Sequence, residues 1–452
     1  MKNIYKREYS TMLVVLTIAG SDSIGGAGLQ ADIKALASMG IHGVSVVTAV
    51  TSQNTQHVHE IHPIPVDHII SQLDAILEDT TIGAVKTGML YSAEIAEAVA
   101  ERIKNLHFPI VVDPVLVAGV GDPLSKEDLI RSLKDHVIPI SSVATPNIPE
   151  AEAITGLRIR SDEDRVKACK YILDMGAKSV VLKGGHLQGE KIVDTLCLGD
   201  EIVEFVSRRV EHRGHGGGCI LSAYIAGYLA IGKTIKEAVY LARDRLSNSI
   251  DMRYAIGKGL KIVNPMATAE KEMERYAVMK SLKAAVRELE SILPTSWVPE
   301  VGINFAYALP CARGLDEVCG LDGRIGVVGD RPTHLGCPDF GVSKHIATVV
   351  LAAMQHDLSI RAAVNIRYHE NILACLKLAG LSVASFNRTH EPEGRKTMEW
   401  GTDTAIKEAG FIPDVIFDKG GHGKEPMIRI LGKNPSDVLR KIRLALDRAV
   451  IP

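Results

Sequence analysis

The sequence predicts an α/β protein in two parts: a mostly parallel sheet flanked by helices, followed by a second, smaller α/β domain. Three observations carry that expectation. Between Met12 and about Pro265, short apolar runs alternate with amphipathic segments, as expected of strands covered on both faces by helices. From Ala267 to Leu293 the chain turns rich in Lys and Glu with helical spacing, until Pro294 and Pro299 stop it. Beyond Pro299 a second strand–helix alternation runs on. The 452 residues also exceed one ordinary core, since a domain takes roughly 150. The boundaries read as a first domain over 12–266, a helical linker over 267–293 and a second domain over 294–452.

In the first domain Val14–Ile18, Val44–Val50, Ala84–Thr87, Ile110–Asp113, Val143–Pro146 and Ser179–Lys183 read as buried strands. Leu29–Met39, Ile69–Glu78, Ala93–Asn105 and Glu163–Met175 read as the helices between them. Ligands of such sheets lie beyond the carboxyl ends of the strands, so the loops there are the places to look. In the connector, Met273, Tyr276, Ala277, Leu282 and Val286 are spaced for one apolar face. In the second domain Arg324–Gly329, Ile360–Tyr368, Val383–Phe386 and Val415–Asp418 read as strands. Its helices fall near Ser343–Gln355, Glu370–Ala379, Thr402–Ala409 and Pro435–Asp447.

Composition narrows the function. Net charge is −2 with no Lys/Arg block, and aromatics are 4%, which argues against a nucleic-acid surface. The seven cysteines form no CxxC pair, which argues against a disulfide framework or zinc site and fits a cytoplasmic protein. Lys2, Lys6 and Arg7 before the apolar run Met12–Ala19 faintly imitate a signal peptide, but the run ends in a glycine loop and reads as a first strand. No stretch approaches the ~20 apolar residues of a membrane span.

Four loops carry candidate chemistry. Gly20-Ser21-Asp22-Ser23-Ile24-Gly25-Gly26-Ala27-Gly28 joins a strand to a helix, where glycines let the backbone approach a ligand or simply make a tight turn. Asp113-Pro114 ends an apolar strand, where a carboxylate meets a metal or caps a turn. Asn147 and Glu150 stand three apart beyond another strand. His215-Gly216-Gly217-Gly218-Cys219 opens the helical run Ile220–Ala230. Unpaired N–H groups and the helix dipole there make an anion hole for a transferring phosphoryl group. A thiol so placed should have a lowered pKa, so Cys219 could accept a proton; a glycine turn with a small buried Cys fits the spacing equally well.

Taken in order, these loops resemble the ribokinase superfamily, and within it the hydroxymethylpyrimidine/phosphomethylpyrimidine kinases. The resemblance spans about Leu13 to Pro265 and includes Gln30-Ala31-Asp32, Ser52-Gln53-Asn54-Thr55, Thr87-Gly88-Met89-Leu90, Lys183-Gly184-Gly185-His186, Gly257-Lys258-Gly259 and Asn264-Pro265. It implies a ribokinase-like sheet, ATP as phosphoryl donor and Mg²⁺. It implies that Asp22, Gly25, Gln53, Met89 and Val115 hold the pyrimidine, with Gln53 on the aminopyrimidine edge and Met89 on the ring. Asn147, Lys183, Gly216, Gly217 and Gly218 would hold nucleotide and phosphate, Asp113 and Glu150 the metal, and Cys219 would be catalytic. The chain departs from that family at its phosphate end. Gly217 stands where the family has Thr, Arg213-Gly214 where it favours Asn-Thr, and Gly119-Val120 where it has Lys and a small hydroxyl residue. Lost donors imply weaker nucleotide binding.

The second domain has Gly323-Arg324 at the head of an expected buried strand, Arg331-Pro332 at its close, and Gly341-Val342-Ser343-Lys344-His345 at a helix start. Cations around an open helix N-terminus suit a pyrophosphate, although spacing alone fits surface ion pairs. Asn365-Ile366-Arg367-Tyr368 and Asp418-Lys419-Gly420-Gly421-His422-Gly423-Lys424-Glu425-Pro426 are further polar strand ends. Pro299-Glu300-Val301-Gly302-Ile303-Asn304, Tyr307-Ala308-Leu309-Pro310, Gly323-Arg324-Ile325, Phe340–Ala347 and Gly423–Ile428 resemble the archaeal-type thiamine-phosphate synthase domain. That resemblance implies Arg324 and His345 as catalytic residues, coupling hydroxymethylpyrimidine diphosphate to thiazole phosphate. Together the two resemblances imply a bifunctional enzyme of thiamine biosynthesis with small-molecule substrates, no nucleic-acid or membrane partner, and a homodimer. The rival readings are a degraded or pyridoxal-type kinase half, and a second domain that only senses a ligand.

Overall fold

The computed structural model describes residues 12–186, 191–208, 214–392, 397–421 and 423–449. The chain forms two compact units, Met1–Ala269 and Glu270–Pro452.

The first unit is built on nine strands: β1 (Val14–Asp22), β2 (His42–Gln53), β3 (Val58–Pro63), β4 (Ala84–Thr87), β5 (Ile110–Val112), β6 (Val143–Ala144), β7 (Val180–Leu182), β8 (Lys191–Leu198) and β9 (Glu201–Arg208). Their order is β3-β2-β1-β4-β5-β6-β7-β8-β9. The run from β2 to β7 is parallel, and β3, β8 and β9 join antiparallel at the edges. The short pair β10 (Gly214–His215) and β11 (Lys261–Ile262) lies apart. The helices are α1 (Gly28–Ser38), α2 (Val66–Asp79), α3 (Ala93–Ile103), α4 (Leu129–Ser132), α5 (Ile148–Thr155), α6 (Asp162–Asp174), α7 (Gly217–Ala230) and α8 (Ile235–Asp251). Successive β1 residues serve opposite faces: Val15 packs with Ala35, Leu36 and Leu221, while Leu16 and Ile18 pack with Ile69, Leu73 and Val99. Burial on both faces is why the parallel strands read as continuous apolar runs. The edge strands escaped that pattern; Val206 on β9 is 58% exposed.

The second unit carries β12 (Phe305–Ala308), β13 (Val318–Leu321), β16 (Pro338–Phe340), β17 (Ala362–Arg367), β18 (Val383–Ser385), β19 (Val415–Asp418) and β20 (Met427–Gly432), with the hairpin β14 (Ile325–Val328)–β15 (Arg331–His334) beside them. The sheet order is β16-β13-β12-β17-β20-β19-β18, and only β18–β19 is parallel. The helices are α9 (Ala267–Ile292), α10 (Lys344–Met354), α11 (Glu370–Leu378), α12 (Thr397–Ala409) and α13 (Pro435–Ala449). One face carries α9, α11 and α13; the other carries α10 and α12.

Two expectations are corrected. The strand expected at Arg324–Gly329 is an arm of a hairpin rather than a buried strand: Ile325 is buried, but Val327 and Val328 are about half exposed. The helix expected as a connector belongs to the core of the second unit. Val278, Leu282, Ala285, Val286, Leu289 and Leu293 are buried there, whereas Met273, Tyr276 and Ala277 face solvent. Leu282 and Val286 of the expected face are therefore on the buried stripe, which continues through Val278 rather than Ala277.

Six buried apolar side chains at about 1.5–3 kcal/mol each for the larger ones rival a domain's whole stability of about 5–15 kcal/mol. A fragment starting near Ala267 should therefore unfold cooperatively on heating. One starting at Pro294 should show no cooperative transition by circular dichroism; a cooperative transition there would mean that α9 is dispensable.

Candidate active sites in the two units

Two glycine loops of the first unit interlock. Gly216 has φ +93°, and a Cβ on it would lie 1.7 Å from the Gly26 carbonyl oxygen, so only glycine allows this approach. Asp22 ties the loops together. Its Oδ1 accepts from Ile24 N at 3.1 Å, and its Oδ2 from Gly26 N (3.0 Å), Ala27 N (2.8 Å) and His215 Nε2 (2.9 Å). Four donors fill a carboxylate. Asp22 thus organises the loop. Gly25 makes the turn, with φ +71° and its N–H on Asp22 O.

Helix α7 begins at the second loop, and among the described residues no side chain caps it. Its first N–H groups open toward a cluster of charge. Lys183 donates to Asp113 Oδ1 at 2.7 Å, and Thr145 donates to the same oxygen at 3.1 Å. A Cβ on Gly218 would stand 3.1 Å from Lys183 Nζ and 3.7 Å from Asp113 Oδ2, which places ammonium, carboxylate and helix N-terminus around one point. Asn147 and Glu150 close a reciprocal capping box at the start of α5. Burial pushes the Glu150 carboxyl up to about 7, Lys183 opposing and Asp113 adding. Asn147 is therefore occupied in holding the helix end, and Glu150 keeps only part of its acceptor capacity. Among the described residues no group of three His, Cys, Asp or Glu converges as metal ligands. Asp113 Oδ2 and Glu150 fit a Mg²⁺ ion only as a pair completed by phosphate oxygens, the usual manner for that ion.

Behind this cluster lies a buried pair that sequence reasoning missed. Asp32 Oδ2 accepts from Thr17 Oγ1 at 2.6 Å and from Lys86 Nζ at 2.7 Å, with both charged side chains essentially sealed from solvent. Burial raises the Asp32 pKa, Lys86 opposing. Burial works against the Lys86 charge, but Asp32, Cys219 and Asp113 outweigh it and hold the ammonium above its ordinary pKa. The signals were present: Asp32 stands on the apolar stripe Leu29–Asp32–Ala35–Leu36, and Lys86 sits inside a strand buried at all four positions.

Cys219 lies between the two ion pairs. Its thiol is pushed up to about 11 by burial, with Asp113 and Asp32 adding to the rise against Lys86 and the Gly28 N–H. The expected lowered pKa is thus corrected: two carboxylates and a dry setting outweigh the helix N-terminus.

The end that the resemblance assigns to the pyrimidine is apolar. Met89 packs with Ala49, Ala118 and Leu124, and Val115 and Val120 lie against that cluster. Gln53 closes it, its amide 3.2 Å from His215 Nε2 and 3.4 Å from Thr51 Oγ1. His215 Nδ1 is buried without a partner among the described residues.

In the second unit, Arg324 and His345 are both exposed. Arg324 follows β13 and its Nη1 donates to the Val301 carbonyl. His345 is in the first turn of α10, which among the described residues has no side-chain cap. The two are brought to one end of the sheet, because a Cβ on Gly320 of β13 would touch Ser343, the residue before α10. Asn304 and Asn365 join β12 and β17 at the same end, Asn304 N donating to Asn365 Oδ1 at 2.8 Å. Glu425, which the sequence reading did not single out, accepts from Glu300 N and Val301 N at 3.0 and 3.1 Å.

A parallel sheet whose strand ends meet an open helix N-terminus, a lysine and a carboxylate defines an enzyme that transfers phosphoryl groups to a small molecule. The first unit resembles the Staphylococcus aureus pyridoxal kinase in complex with AMP-PCP and pyridoxal, with a TM-score of 0.53 and 31% identity over 57% of this chain and 95% of that one. The phosphomethylpyrimidine kinase family matches residues 22–264, and the thiamine-phosphate synthase ThiN family matches 281–444. Across both, the bifunctional thiamine biosynthesis protein ThiDN of Methanocaldococcus jannaschii is 31% identical over 96% of this chain and 98% of its own. The hydroxymethylpyrimidine/phosphomethylpyrimidine kinase of Streptomyces coelicolor is 40% identical over 55% of this chain and 92% of its own. The chain belongs to the phosphomethylpyrimidine kinase family, in its fused form with a thiamine-phosphate synthase domain. It is a bifunctional transferase of thiamine biosynthesis, and its kinase half belongs to an ATP-dependent family. The family descriptions and the full-length relative favour this over the rival readings.

The phosphate-end departures differ in how much room they have. A Cβ on Gly217 would meet nothing closer than Val263 Cγ2 at 3.9 Å, whereas one on Gly214 would lie 2.5 Å from that atom. One on Gly119 would crowd His215 Nδ1 at 3.1 Å, and Arg213 lies outside the described residues. Gly217→Thr should fold normally and lower the Michaelis constant for ATP about tenfold, the effect of one hydrogen bond to a charged group. Gly214→Thr should lower the melting temperature. An unchanged ATP constant in Gly217→Thr would mean that phosphates are held without a donor there.

Proposed function

We propose that the first unit phosphorylates the hydroxymethyl group and then the resulting monophosphate at one site, with Cys219 at the reacting oxygen. The carrying observation is the placement of Cys219 at the uncapped start of α7, between the Lys86 and Lys183 ion pairs. Gln53, Met89 and Val115 bind the pyrimidine; the N–H groups of Gly216–Gly218 and Lys183 receive the phosphoryl group. Asp113 and Glu150 would hold Mg²⁺, which would supply charge neutralisation at the phosphates when bound. Lys86 favours the thiolate of Cys219, which takes the hydroxyl proton and becomes the thiol; the proton on the resting thiol must leave before the transfer. Neutralising Asp113 would remove one of the two carboxylates that keep the thiol protonated. A homodimer and a cytoplasmic setting, which the family resemblance supports, belong to the same reading.

The two phosphorylations make different demands. An alcohol must lose a proton as it attacks, whereas a phosphomonoester at pH 7 is largely dianionic already. Cys219→Ala should therefore slow the first phosphorylation by about 10²–10⁴-fold and the second far less. Equal loss in both steps would mean that Cys219 shapes the site rather than accepts a proton.

In the second unit, Arg324, His345 and the open start of α10 receive the diphosphate of the pyrimidine substrate. The aminopyrimidine ring helps expel pyrophosphate, and the thiazole nitrogen then attacks the methylene cation. The protein's part is to neutralise the leaving group and hold the cation in place. In the full-length protein Arg324→Ala should cut thiamine-phosphate formation from preformed diphosphate by at least about tenfold and leave both kinase steps unchanged. Normal synthase turnover in that variant would remove Arg324 from the reaction.

A further inference from the structure

A second cationic site lies at the same sheet end as Arg324. Asp418 closes β19 and is 1% exposed. Arg388 grips it with both arms of its fork, Nε to Oδ1 at 2.6 Å and Nη2 to Oδ2 at 3.1 Å. Arg429, 3% exposed, donates Nη1 to Oδ2 at 2.8 Å, and Gly420 N donates to Oδ1 at 2.8 Å. One carboxylate thus serves two guanidinium groups. The nearby Lys424–Glu391 contact at 3.5 Å does not change the balance, since it adds one charge of each sign. Burial lowers the pKa of Arg429, with Asp418 opposing. A buried cation without its own counter-charge is costly unless something else supplies one. Among the described residues Arg388 Nη1 has no hydrogen-bond partner.

The surroundings link this pair to the synthase site. Arg429 on β20 is paired in register with Asn365 of β17, the residue that holds Asn304 at the mouth. The loop after Asp418 ends in Glu425, whose carboxylate clasps the Glu300 and Val301 N–H groups, and Val301 O holds Arg324. Arg324 and the Arg388–Arg429 pair therefore flank one sheet end, one exposed and one recessed.

We propose that Arg388, backed by Arg429, binds the monophosphate of the thiazole substrate, with Asp418 as the residue that positions both guanidinium groups. The synthase joins two phosphorylated molecules, so its site must receive two anionic groups. The diphosphate carries more charge and leaves as pyrophosphate, which suits the open end with Arg324, His345 and the helix N-terminus. A recessed fork held rigid by Asp418, with one charge in excess, suits a single phosphate that stays attached to the product. The assignment rests on the reading of Arg324 and His345 given above.

The test uses full-length protein and separate saturation curves for thiazole phosphate and preformed hydroxymethylpyrimidine diphosphate. Arg388→Gln should raise the Michaelis constant for thiazole phosphate at least about tenfold, the loss of one charge-assisted contact. It should leave the constant for the diphosphate within about twofold and the kinase rates unchanged. Arg388→Lys, which keeps charge but loses the fork, should fall between and carries the test if the Gln variant does not fold. Inorganic phosphate should compete with thiazole phosphate in the parent and more weakly in Arg388→Lys. A rise confined to the diphosphate constant would assign the pair to the other substrate, and an equal rise in both, or none, would make it a structural ion cluster; each overturns the proposal. If instead Arg324→Ala raised only the thiazole-phosphate constant while Arg388→Lys behaved as expected, the Arg324 reading would fail and this one would stand.

Discussion

The chemistry of the first unit depends on two ammonium groups buried against carboxylates. Lys86 sits on Asp32 and Lys183 on Asp113, at 2.7 Å in each case, with Cys219 between the pairs. Removing one partner of such a pair leaves an uncompensated buried charge, a loss of about 3–5 kcal/mol. That is a large share of a domain's stability, so these pairs are poor choices for stability alone. They concentrate charge around one point, where Lys86, Asp32 and Asp113 all act on the Cys219 thiol.

Burial above all, with the carboxylates of these pairs adding to it, explains why a cysteine at a helix N-terminus is not activated here. The helix end and Lys86 pull its pKa down, but burial and two carboxylates push harder. In this setting the thiol is favoured over the thiolate. The second unit follows another plan. Arg324 and His345 stand in the open, while Arg388 and Arg429 are recessed on Asp418.

Much of the fold was legible because both-face burial writes strands as continuous apolar runs: Ala84–Thr87 was read with its observed bounds. What escaped were half-exposed elements, the β8–β9 pair and the β14–β15 hairpin, and also short buried strands, β12, β13 and β20, whose pairing is decided largely by partners distant in sequence. The first part of the α9 stripe was misplaced by trusting Met273 and Tyr276, since an exposed face of a helix tolerates large apolar residues as well. At the site, the loops stood out because glycines mark them. The loop-organising role of Asp22 was not legible, because its four hydrogen bonds are local geometry that spacing does not reveal. Asp32, Lys86, Arg388 and Arg429 escaped because each sits in an ordinary helix, strand or loop, and only the fold brings it to its counter-charge.

Burial, with nearby carboxylates adding to it, outweighs the helix end in setting the state of Cys219. Pulsed alkylation of the folded full-length protein, with modification of the Cys219 peptide quantified by mass spectrometry across pH, tests it directly, and the exposed Cys337 serves as internal reference. The account predicts that Cys219 reacts at pH 8 at least about a hundredfold more slowly than Cys337, with reactivity still climbing toward a midpoint near 11. A Cys219 midpoint at or below the ordinary thiol value of about 8.5 would contradict it.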